Sequence, residues 1–375
     1  MNFELTDEQQ QLADSVRKYL GNAYDFEKRK AILQSPTGQG AGVWSTFAEL
    51  GLTALTLPEA DGGFGGGAVD LMAVMEACGE ALVVEPLIDN IALAGRLIAR
   101  AGNEAQRSQW LPGLADGSAQ LAFASLEPGR RYELMPQGTT ATPHADGWLL
   151  NGAKTVVIGA PSAQCLVVSA SNGSGASLFL VDPKAEGVTL KAYRTVDGLR
   201  AADITFSHVK LGADALLGPA GEALPLIEEA VDFATALLCA DTVGAMQHAC
   251  DATLEYLKTR KQFGVAIGSF QALQHRMVDM VIATEESRSM AILAAAKVDE
   301  PNLPPTERHR AVSAAKVKIA ESAKRVREEA VQLHGGMGMT EELKVSHTFR
   351  RLTMASQRFG DVDHHLERYA AVAAA

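Results

Sequence analysis

The sequence predicts a multi-domain α+β protein in which helical regions stand before and after a central β domain. Apolar residues keep helical spacing through the first 120 residues, short apolar runs follow from 121 to 217, and the helical period returns from Glu222. This order differs from the βαβ alternation of a doubly wound sheet. We therefore expect an N-terminal α-helical domain over residues 1–120, a middle β-barrel or sheet domain over 121–217 and a C-terminal four-helix bundle domain over 218–375.

Helix signals fill the N-terminal region. Thr6 can cap a first helix, in which Leu12, Val16 and Leu20 recur at helical spacing. Similar patterns predict three further helices, over residues 44–52, 69–83 and 91–98. The glycine-rich run at 58–67 lacks the Lys-Ser/Thr that follows a phosphate-binding loop, and it is interpreted as a connecting loop.

The middle region has the pattern of a compact antiparallel sheet. Its short apolar runs are residues 121–126, 148–150, 156–158, 165–168, 177–181 and 204–206. They are separated by the turn pairs Asp146-Gly147, Asn151-Gly152, Asn172-Gly173 and Asp197-Gly198. In the C-terminal region, one long helix is predicted to bury a single apolar stripe and to end at Gly335-Gly336. The stripe consists of Val312, Ala315, Ile319, Ala323, Val326, Ala330 and Leu333.

Composition narrows the class of protein. The chain has 375 residues with 34 Lys+Arg and 45 Asp+Glu, and its net charge of −11 argues against binding to nucleic acid or anionic membrane through bulk charge. The four cysteines lie far apart, so we expect free thiols and no metal site. The acidic N-terminus does not fit a secretory signal, and the uncharged stretch 155–181 contains Pro161 and a glycine turn, so a cytoplasmic protein is expected.

Two C-terminal runs carry candidate binding residues. In the run 260–271, Arg260 offers a planar fork suited to pyrophosphate, Phe263 a flat apolar face and Gln271 an amide. In the run 332–338, glycines follow a helix end and allow a ligand to approach the backbone closely. Taken singly, each of these residues would be read as a solvated charge, a core side chain or a helix cap.

In this order, around a central β domain, these runs resemble the acyl-CoA dehydrogenase family over essentially the whole chain. The supporting runs are residues 57–65, 123–129, 151–154, 260–271 and 332–338. The resemblance implies helical, β and helical-bundle domains, FAD as the cofactor, α,β-desaturation of an acyl-CoA thioester, and electron transfer to an electron-transfer flavoprotein. It also implies that hydrogen bonds polarise the thioester carbonyl while a carboxylate removes the α-proton.

The resemblance assigns FAD contacts in this chain. Arg260, Gln262, Phe263 and Gln271 would contact the adenosine pyrophosphate half, in a site between the middle and C-terminal domains that reaches across a subunit interface. Gln332, Gly335 and Gly336 would reach the same region of a neighbouring subunit's FAD. A divided site implies a dimer or tetramer, built from copies of this chain or with a larger homologous subunit.

The residues at the positions of the catalytic base differ from the family pattern. Alignment on the two runs places Phe359 and Ala234 at the two positions where the family carries its base, and neither is a carboxylate. Asp241 is the nearest helical substitute, because it lies seven residues beyond Ala234 on the same face, roughly 10 Å away. The other interpretation of Asp241 is a carboxylate hydrogen-bonded to a neighbouring helix; Asp232 and Glu229 are weaker candidates for the base.

The β domain departs as well. Val156 and Ile158 stand where family members have a Trp and a Thr beside the flavin. Arg130 and Arg131 follow the Glu-Pro-Gly turn, where they either meet a CoA phosphate or a dicarboxylate tail or are plain solvated charges. Four histidines (His334, His347, His364 and His365) lack metal-site spacing, and no metal is expected.

These observations favour an FAD-dependent acyl-CoA dehydrogenase subunit acting on a dicarboxylyl- or other bulky acyl-CoA. Residues 24–30, 199–204 and 359–366 are similar to the small subunits of one heteromeric branch of the family, which favours work beside a larger homologous chain. Two alternatives stay open. One is a catalytically silent subunit that completes a partner's FAD site, and the other, less favoured, is an acyl-CoA oxidase.

Overall fold

A computed structural model describes residues 5–40 and 42–373 of the chain. The helices, numbered in chain order, are α1 (Asp7–Ala23), α2 (Phe26–Gln34), α3 (Val43–Glu49), α4 (Ala68–Ala81), α5 (Arg96–Ala101), α6 (Glu104–Ala115), α7 (Leu224–Thr259), α8 (Gln271–Val298), α9 (Pro305–His334), α10 (Lys344–Gln357) and α11 (Val362–Ala373). The strands are β1 (Leu121–Ala124), β2 (Thr140–His144), β3 (Gly147–Ile158), β4 (Cys165–Ser171), β5 (Ala176–Val181), β6 (Val188–Arg194), β7 (Arg200–Gly212), β8 (Leu216–Leu217), β9 (Lys261–Gln262) and β10 (Val265–Ala266). The predicted order of helices, sheet and helices is confirmed.

Two compact units divide these elements. One consists of the described residues up to Lys30, Ala68–Val83 and the chain from Thr235 onward; the other consists of Ala31–Gly67 and Val84–Ala234. Helices α1 and α4 therefore belong with the C-terminal helices, whereas α3, α5 and α6 belong with the sheet. The predicted N-terminal domain of residues 1–120 therefore contributes helices to both units.

The helical unit is built from closely packed, alanine-rich helices. The predicted stripe of α9 is buried along its whole length, and the helix ends at Gly335 as expected. Helices α4 and α7 approach most closely at two glycines. A Cβ added to Gly79 would lie 1.9 Å from the carbonyl oxygen of Asp241, and one added to Gly244 would lie 1.9 Å from that of Glu76. The two backbones are therefore in direct contact.

The second unit is built on an eight-stranded mixed sheet. Its strand order is β6-β7-β3-β2-β4-β5-β8, with β1 pairing in parallel to β4. The long antiparallel pair β3–β7 changes register twice, between Leu150 and Gly152 and between Lys154 and Val157. Such bulges bend a strand and re-aim its side chains.

One predicted helix differs from the expectation. The segment predicted as a helix over 91–98 starts as a π-helix over Ile88–Gly95 and continues as α5. All eight π-helical residues are buried, and Asn90 Oδ1 accepts a hydrogen bond of 3.3 Å from the Leu121 N–H of β1. At the start of α1 the predicted helix cap is confirmed, because Thr6 and Gln9 form a capping box. Within residues 5–40 and 42–373, no helix is long and apolar enough to cross a membrane.

Candidate functional site

A pocket of about 540 Å³ in the helical unit brings together most of the predicted FAD contacts. Five of the seven predicted residues line it: Arg260, Gln262, Gln332, Gly335 and Gly336. Tyr256, Arg276 and His334 contribute to the same wall. Its volume falls in the range that takes part of a large organic ligand. The pocket is referred to below as the arginine pocket.

Local structure explains how the two runs meet. Helix α7 ends at Thr259 and is followed by the tight hairpin β9–β10, which turns at Phe263 and Gly264. Both turn residues have positive φ, +55° and +81°, as a two-residue hairpin loop requires. The Ile267 N–H donates to the Arg260 carbonyl at 2.9 Å, which fixes the base of the hairpin. The second run, residues 332–338, begins in the last turn of α9 and continues beyond the end of that helix at His334.

The charges of the arginine pocket suit an anion. Arg260 and Arg276 line it, and none of its described lining residues is acidic. Arg276 also pairs with Glu329 of α9, so Arg260 is the freer of the two cations. His334 stacks on Tyr256 with ring centroids 4.4 Å apart, and burial lowers the pKa of His334. Burial thus disfavours a positive charge on His334, and the attraction for an anion comes from the arginines.

The backbone at the glycines leaves room for a ligand. Gly335 has φ of +60°, and a Cβ added to Gly335 or Gly336 would meet nothing within 4 Å. A side chain here would project into open space instead of packing, so both glycines keep bare backbone at the pocket. Guanidinium and amide donors, beside bare backbone that a ligand can approach closely, suit a pyrophosphate. The donor set therefore fits the anionic half of FAD.

Phe263 and Gln271 are predicted contacts that do not line the arginine pocket. Phe263 lies at the hairpin tip and is 91% exposed, which excludes the core role considered from the sequence. Gln271 is the exposed first residue of α8.

Residues of the two runs, which the resemblance assigns to different FAD molecules, lie close together. Arg260 and Gln262 of the first run and Gln332 of the second lie on one pocket of one chain. The separation of about 70 residues in sequence gave no information on this closeness.

Asp241, the predicted base, is held in an ion pair. It is fully buried, and Arg351 Nη2 and Nε donate to its two carboxylate oxygens at 2.7 and 2.9 Å. A base needs an oxygen that can reach the substrate proton. The geometry therefore favours the structural interpretation of Asp241 over the predicted catalytic one, because both oxygens are already engaged by α10.

The weaker candidates for the base are also held in other interactions or buried in the protein. Arg96 binds both oxygens of Glu229, and its guanidinium lies 3.9 Å from the centre of the Phe233 ring. Asp232 and Ala234 are fully buried in α7.

Phe359, at the family's other position for the base, lies in a strained turn between α10 and α11. Its φ is +59°, which is unusual for a bulky residue. Lys316, which is 2% exposed, donates to the carbonyls of Ser356 and Gly360 at 3.3 and 2.8 Å, and His365 Nε2 lies 3.1 Å from the Phe359 carbonyl. Lys316 and His365 therefore fix this turn, a role that their sequence positions did not indicate.

In the sheet unit, the Glu-Pro-Gly and Asn-Gly-x-Lys runs meet in a buried ion pair. Lys154 Nζ donates to Glu127 Oε1 at 3.0 Å, and the N–H groups of Gln137, Gly138 and Thr139 also donate to Glu127. Although burial opposes it, these hydrogen bonds and Lys154 hold the pKa of Glu127 at about 2. This pair is structural. Arg130 and Arg131, which follow the same turn, are exposed.

The glycine-rich run at 58–67 is a fixed loop. The N–H groups of Gly63, Phe64, Gly65 and Gly66 donate to carbonyls of residues 54–58 at 2.8 to 3.2 Å. A Cβ at Gly63 would lie 2.2 Å from the Leu57 oxygen, so close backbone approach explains that glycine. In the described part of the chain no group of three His, Cys, Asp or Glu could hold a metal ion, and the four cysteines are buried free thiols.

Comparison with known proteins identifies relatives of this chain with the same order of domains. Sequence patterns described as the N-terminal, middle and C-terminal domains of acyl-CoA dehydrogenase match residues 6–118, 122–210 and 224–373. The acyl-CoA dehydrogenase FadE12 of Mycobacterium tuberculosis is 30% identical over 357 residues, covering 92% of this chain and 90% of the relative.

Two solved structures are similar over almost the full chain. A variant of the Tcur3481-Tcur3483 steroid ACAD is 31% identical with a TM-score of 0.88, covering 98% of each chain. The ChsE4-ChsE5 complex from Mycobacterium tuberculosis is 25% identical with a TM-score of 0.91, covering 100% of this chain and 99% of the other. With three matched domains in the order seen in the fold, this chain belongs to the acyl-CoA dehydrogenase family of FAD-binding oxidoreductases.

Proposed function

We propose that this chain is the FAD-binding small subunit of a heteromeric acyl-CoA dehydrogenase that desaturates a bulky or dicarboxylyl acyl-CoA and passes electrons to an electron-transfer flavoprotein. The observation that carries the proposal is the arginine pocket, where Arg260, Gln262, Gln332 and two bare glycines meet in a wall without carboxylates. Such a wall attracts the doubly charged pyrophosphate and would repel it if acidic side chains were present.

In the proposed function, this chain's own residues bind and position the cofactor, and another subunit supplies the proton acceptor. When bound, FAD accepts the hydride that leaves the β-carbon. Arg260 and the amides of Gln262 and Gln332 hold the anionic half. Ala234 and Phe359 offer no carboxylate, and Asp241 has both oxygens bound by Arg351. The α-proton is therefore removed by a carboxylate of a larger homologous subunit.

Two lines of support favour a heteromer. Among similar solved structures, one carries the joined name Tcur3481-Tcur3483 and another is described as the ChsE4-ChsE5 complex. In residues 24–30, 199–204 and 359–366 the chain also resembles the small subunit of pimeloyl-CoA dehydrogenase. The exposed Arg130 and Arg131 are proposed to meet a phosphate of CoA or a distal carboxylate of the acyl group.

A catalytically silent subunit is the second candidate, and the missing base favours it. The two candidates differ in where the flavin of an active complex is bound. In the proposed function the arginine pocket contributes to FAD binding in a complex that turns over. In the alternative, the pocket only completes the FAD site of a partner chain, so this chain purified by itself holds no flavin.

The test uses the chain co-expressed with the proposed larger homologous subunit. Flavin absorbance near 450 nm and acyl-CoA-dependent reduction of an artificial acceptor are measured on the purified complex. We expect Arg260→Ala to weaken FAD binding at least about tenfold, the scale of a lost charge-assisted hydrogen bond. The matched control is Arg325→Ala, a half-exposed arginine of α9 that pairs with Asp279 outside the pocket. Unchanged flavin content in Arg260→Ala would contradict the proposal.

A further inference from the structure

The sheet unit has a cavity of about 680 Å³ that the proposed function does not use. It is lined by α6, by residues 161–165 before and at the start of β4, by residues 180–184 at the end of β5, and by Asp214 and Ala215 after β7. All of these residues belong to the sheet unit. The volume lies in the range of pockets that bind small organic molecules. Because Trp110 of α6 contributes its largest side chain, the cavity is called the Trp110 groove below.

Part of the lining of the Trp110 groove is apolar. The ring of Trp110 is half-buried, and Pro161 and Pro183 line the groove with it. Ala163 and Val181 add buried aliphatic side chains. These side chains offer a surface on which an aliphatic or aromatic group of a ligand is removed from water. The ligand of this groove should therefore have an apolar part.

Two charged side chains of opposite sign line the groove without a counter-ion. Lys184 and Asp214 are exposed, and neither side chain forms a hydrogen bond or an ion pair with any residue that the structure describes. Asp182 is more constrained, because its Oδ1 accepts the Lys184 N–H at 2.8 Å in an Asx turn. Among the described lining residues one cation stands against two carboxylates, so the groove does not suit a dianion. An unpaired ammonium and an unpaired carboxylate suit a ligand that carries both charges.

The amide side chains of the groove have different roles. Gln106 donates to the carbonyls of Asp214 and Leu216 at 2.7 and 2.9 Å, so the backbone that carries Asp214 is fixed to α6. Gln164 is held as well, since its Oε1 accepts a backbone N–H at 2.6 Å. The amide of Gln109 makes no hydrogen bond in the described part of the chain. It can donate and accept at once, which matches the N–H and C=O of a peptide group.

We propose that the Trp110 groove binds a dipeptide-sized zwitterion with free termini and apolar side chains. Asp214 binds the ammonium group, Lys184 the carboxylate and Gln109 the peptide group, while the apolar side chains pack on the Trp110 ring. A single amino acid has both charges but lacks the peptide group that Gln109 matches. The groove shares no lining residue with the arginine pocket, so this site does not depend on the proposed function.

The experiment titrates the full chain with forms of the dipeptide Leu-Phe at about pH 6.5 and measures binding by calorimetry. Leu-Phe with free termini is a zwitterion at this pH, because an α-amino group has a pKa of about 8. Acetylation of its N-terminus leaves an anion, amidation of its C-terminus leaves a cation, and both changes together leave a neutral molecule. Gly-Gly keeps both charges and lacks the apolar side chains.

We expect free Leu-Phe to bind about fivefold or more tightly than either singly blocked form and than Gly-Gly, the scale of one contact at a partly exposed site. Lys184→Met should abolish the difference between the free and the amidated form. Asp214→Asn should abolish the difference between the free and the acetylated form, because each variant removes the charge that recognises one end. Lys210→Met and Asp146→Asn, exposed charges of the same unit outside the groove, are the matched controls and should bind every form as wild type does.

Three results would overturn the proposal. The first is that free Leu-Phe does not bind at concentrations up to about 10 mM. The second is that the doubly blocked form binds as tightly as the free one, which would assign the groove to an internal peptide segment or to another neutral ligand. The third is an unchanged preference for free ends in both Lys184→Met and Asp214→Asn, or its loss in the controls, which would place the dipeptide outside the groove.

Discussion

Arg351 and Asp241 lie 110 residues apart in sequence and form a two-bond ion pair that joins α10 to α7 inside the helical unit. Their side chains are 7% and 0% exposed, so water does not screen the pair. Because the pair has low solvent exposure, removing Asp241 would take a charged partner from a buried guanidinium. The pair therefore supports a stability prediction and a catalytic one.

We predict that Asp241→Asn lowers the free energy of unfolding by about 3 kcal/mol, since it removes the buried carboxylate that binds the Arg351 guanidinium through two hydrogen bonds. Turnover of the reconstituted complex at a temperature where it is folded should stay within about threefold, whereas loss of a general base costs about a hundredfold or more. Denaturant unfolding and steady-state assays test the two parts. Asp279→Asn, which loosens a half-exposed pair with Arg325, should cost less than about 1 kcal/mol. A hundredfold fall in turnover of a folded Asp241→Asn complex would restore Asp241 as the base.

The glycine contacts between α4 and α7 predict a steric effect. Gly79→Ala places a Cβ 1.9 Å from the Asp241 oxygen, so the helices must separate, and we expect a loss of about 3 kcal/mol or more. Gly244→Ala should behave in the same way against Glu76. Gly21→Ala in α1 is the matched control, because its Cβ meets nothing within 4 Å and alanine favours the helix by about 1 kcal/mol. Thermal unfolding of the three variants should separate Gly21→Ala, with a raised midpoint, from the other two.

His365 predicts a pH dependence of stability. Burial, and then the neighbouring charges of Lys316, His364 and Arg368, lower the pKa of His365 to about 3 from its usual 6.5. The Ser313 hydroxyl at 3.1 Å from Nδ1 and the Phe359 carbonyl at 3.1 Å from Nε2 suit the neutral ring. An unfolded chain takes up a proton near pH 6.5 and the folded one does not, so stability is full above about pH 6.5 and falls as the pH drops toward 3.

At pH 5 this one histidine should cost about 2 kcal/mol relative to pH 7.5. His365→Gln should flatten that part of the stability curve, measured by urea unfolding at both pH values. His275→Gln, at an exposed position of α8, serves as the control and should leave the slope as in wild type. An unchanged slope in His365→Gln would contradict the assignment.

The buried pair in the sheet predicts a loss of stability with little change in the helical unit. Lys154→Met removes the counter-ion of Glu127, which is 4% exposed, and we expect a cost of about 3–5 kcal/mol. The double variant Lys154→Met with Glu127→Gln should recover part of this loss, because no charge is then left buried. Unfolding of the single and double variants tests the coupling, and equal losses in both would argue against it.

Sequence reasoning succeeded where the signal is local and periodic. The α9 stripe from Val312 to Leu333 repeats on one helix face, and the Thr6 cap lies three residues from its partner Gln9. It failed where two distant segments meet. Nothing near Asp241 indicates Arg351, and the place of α4 beside α7 depends on Gly79 and Gly244, which lie far apart in the sequence.

The arginine pocket also has a kinetic consequence. Two arginines face an approaching dianion at short range, while the chain as a whole carries a net charge of −11. At very low ionic strength the long-range field of the protein repels such a ligand, and salt near 0.15 M confines that field to about 8 Å. The local attraction of Arg260 acts within this distance. Capture of the anion should therefore become faster as salt rises from low values, the reverse of the usual behaviour of a basic binding surface.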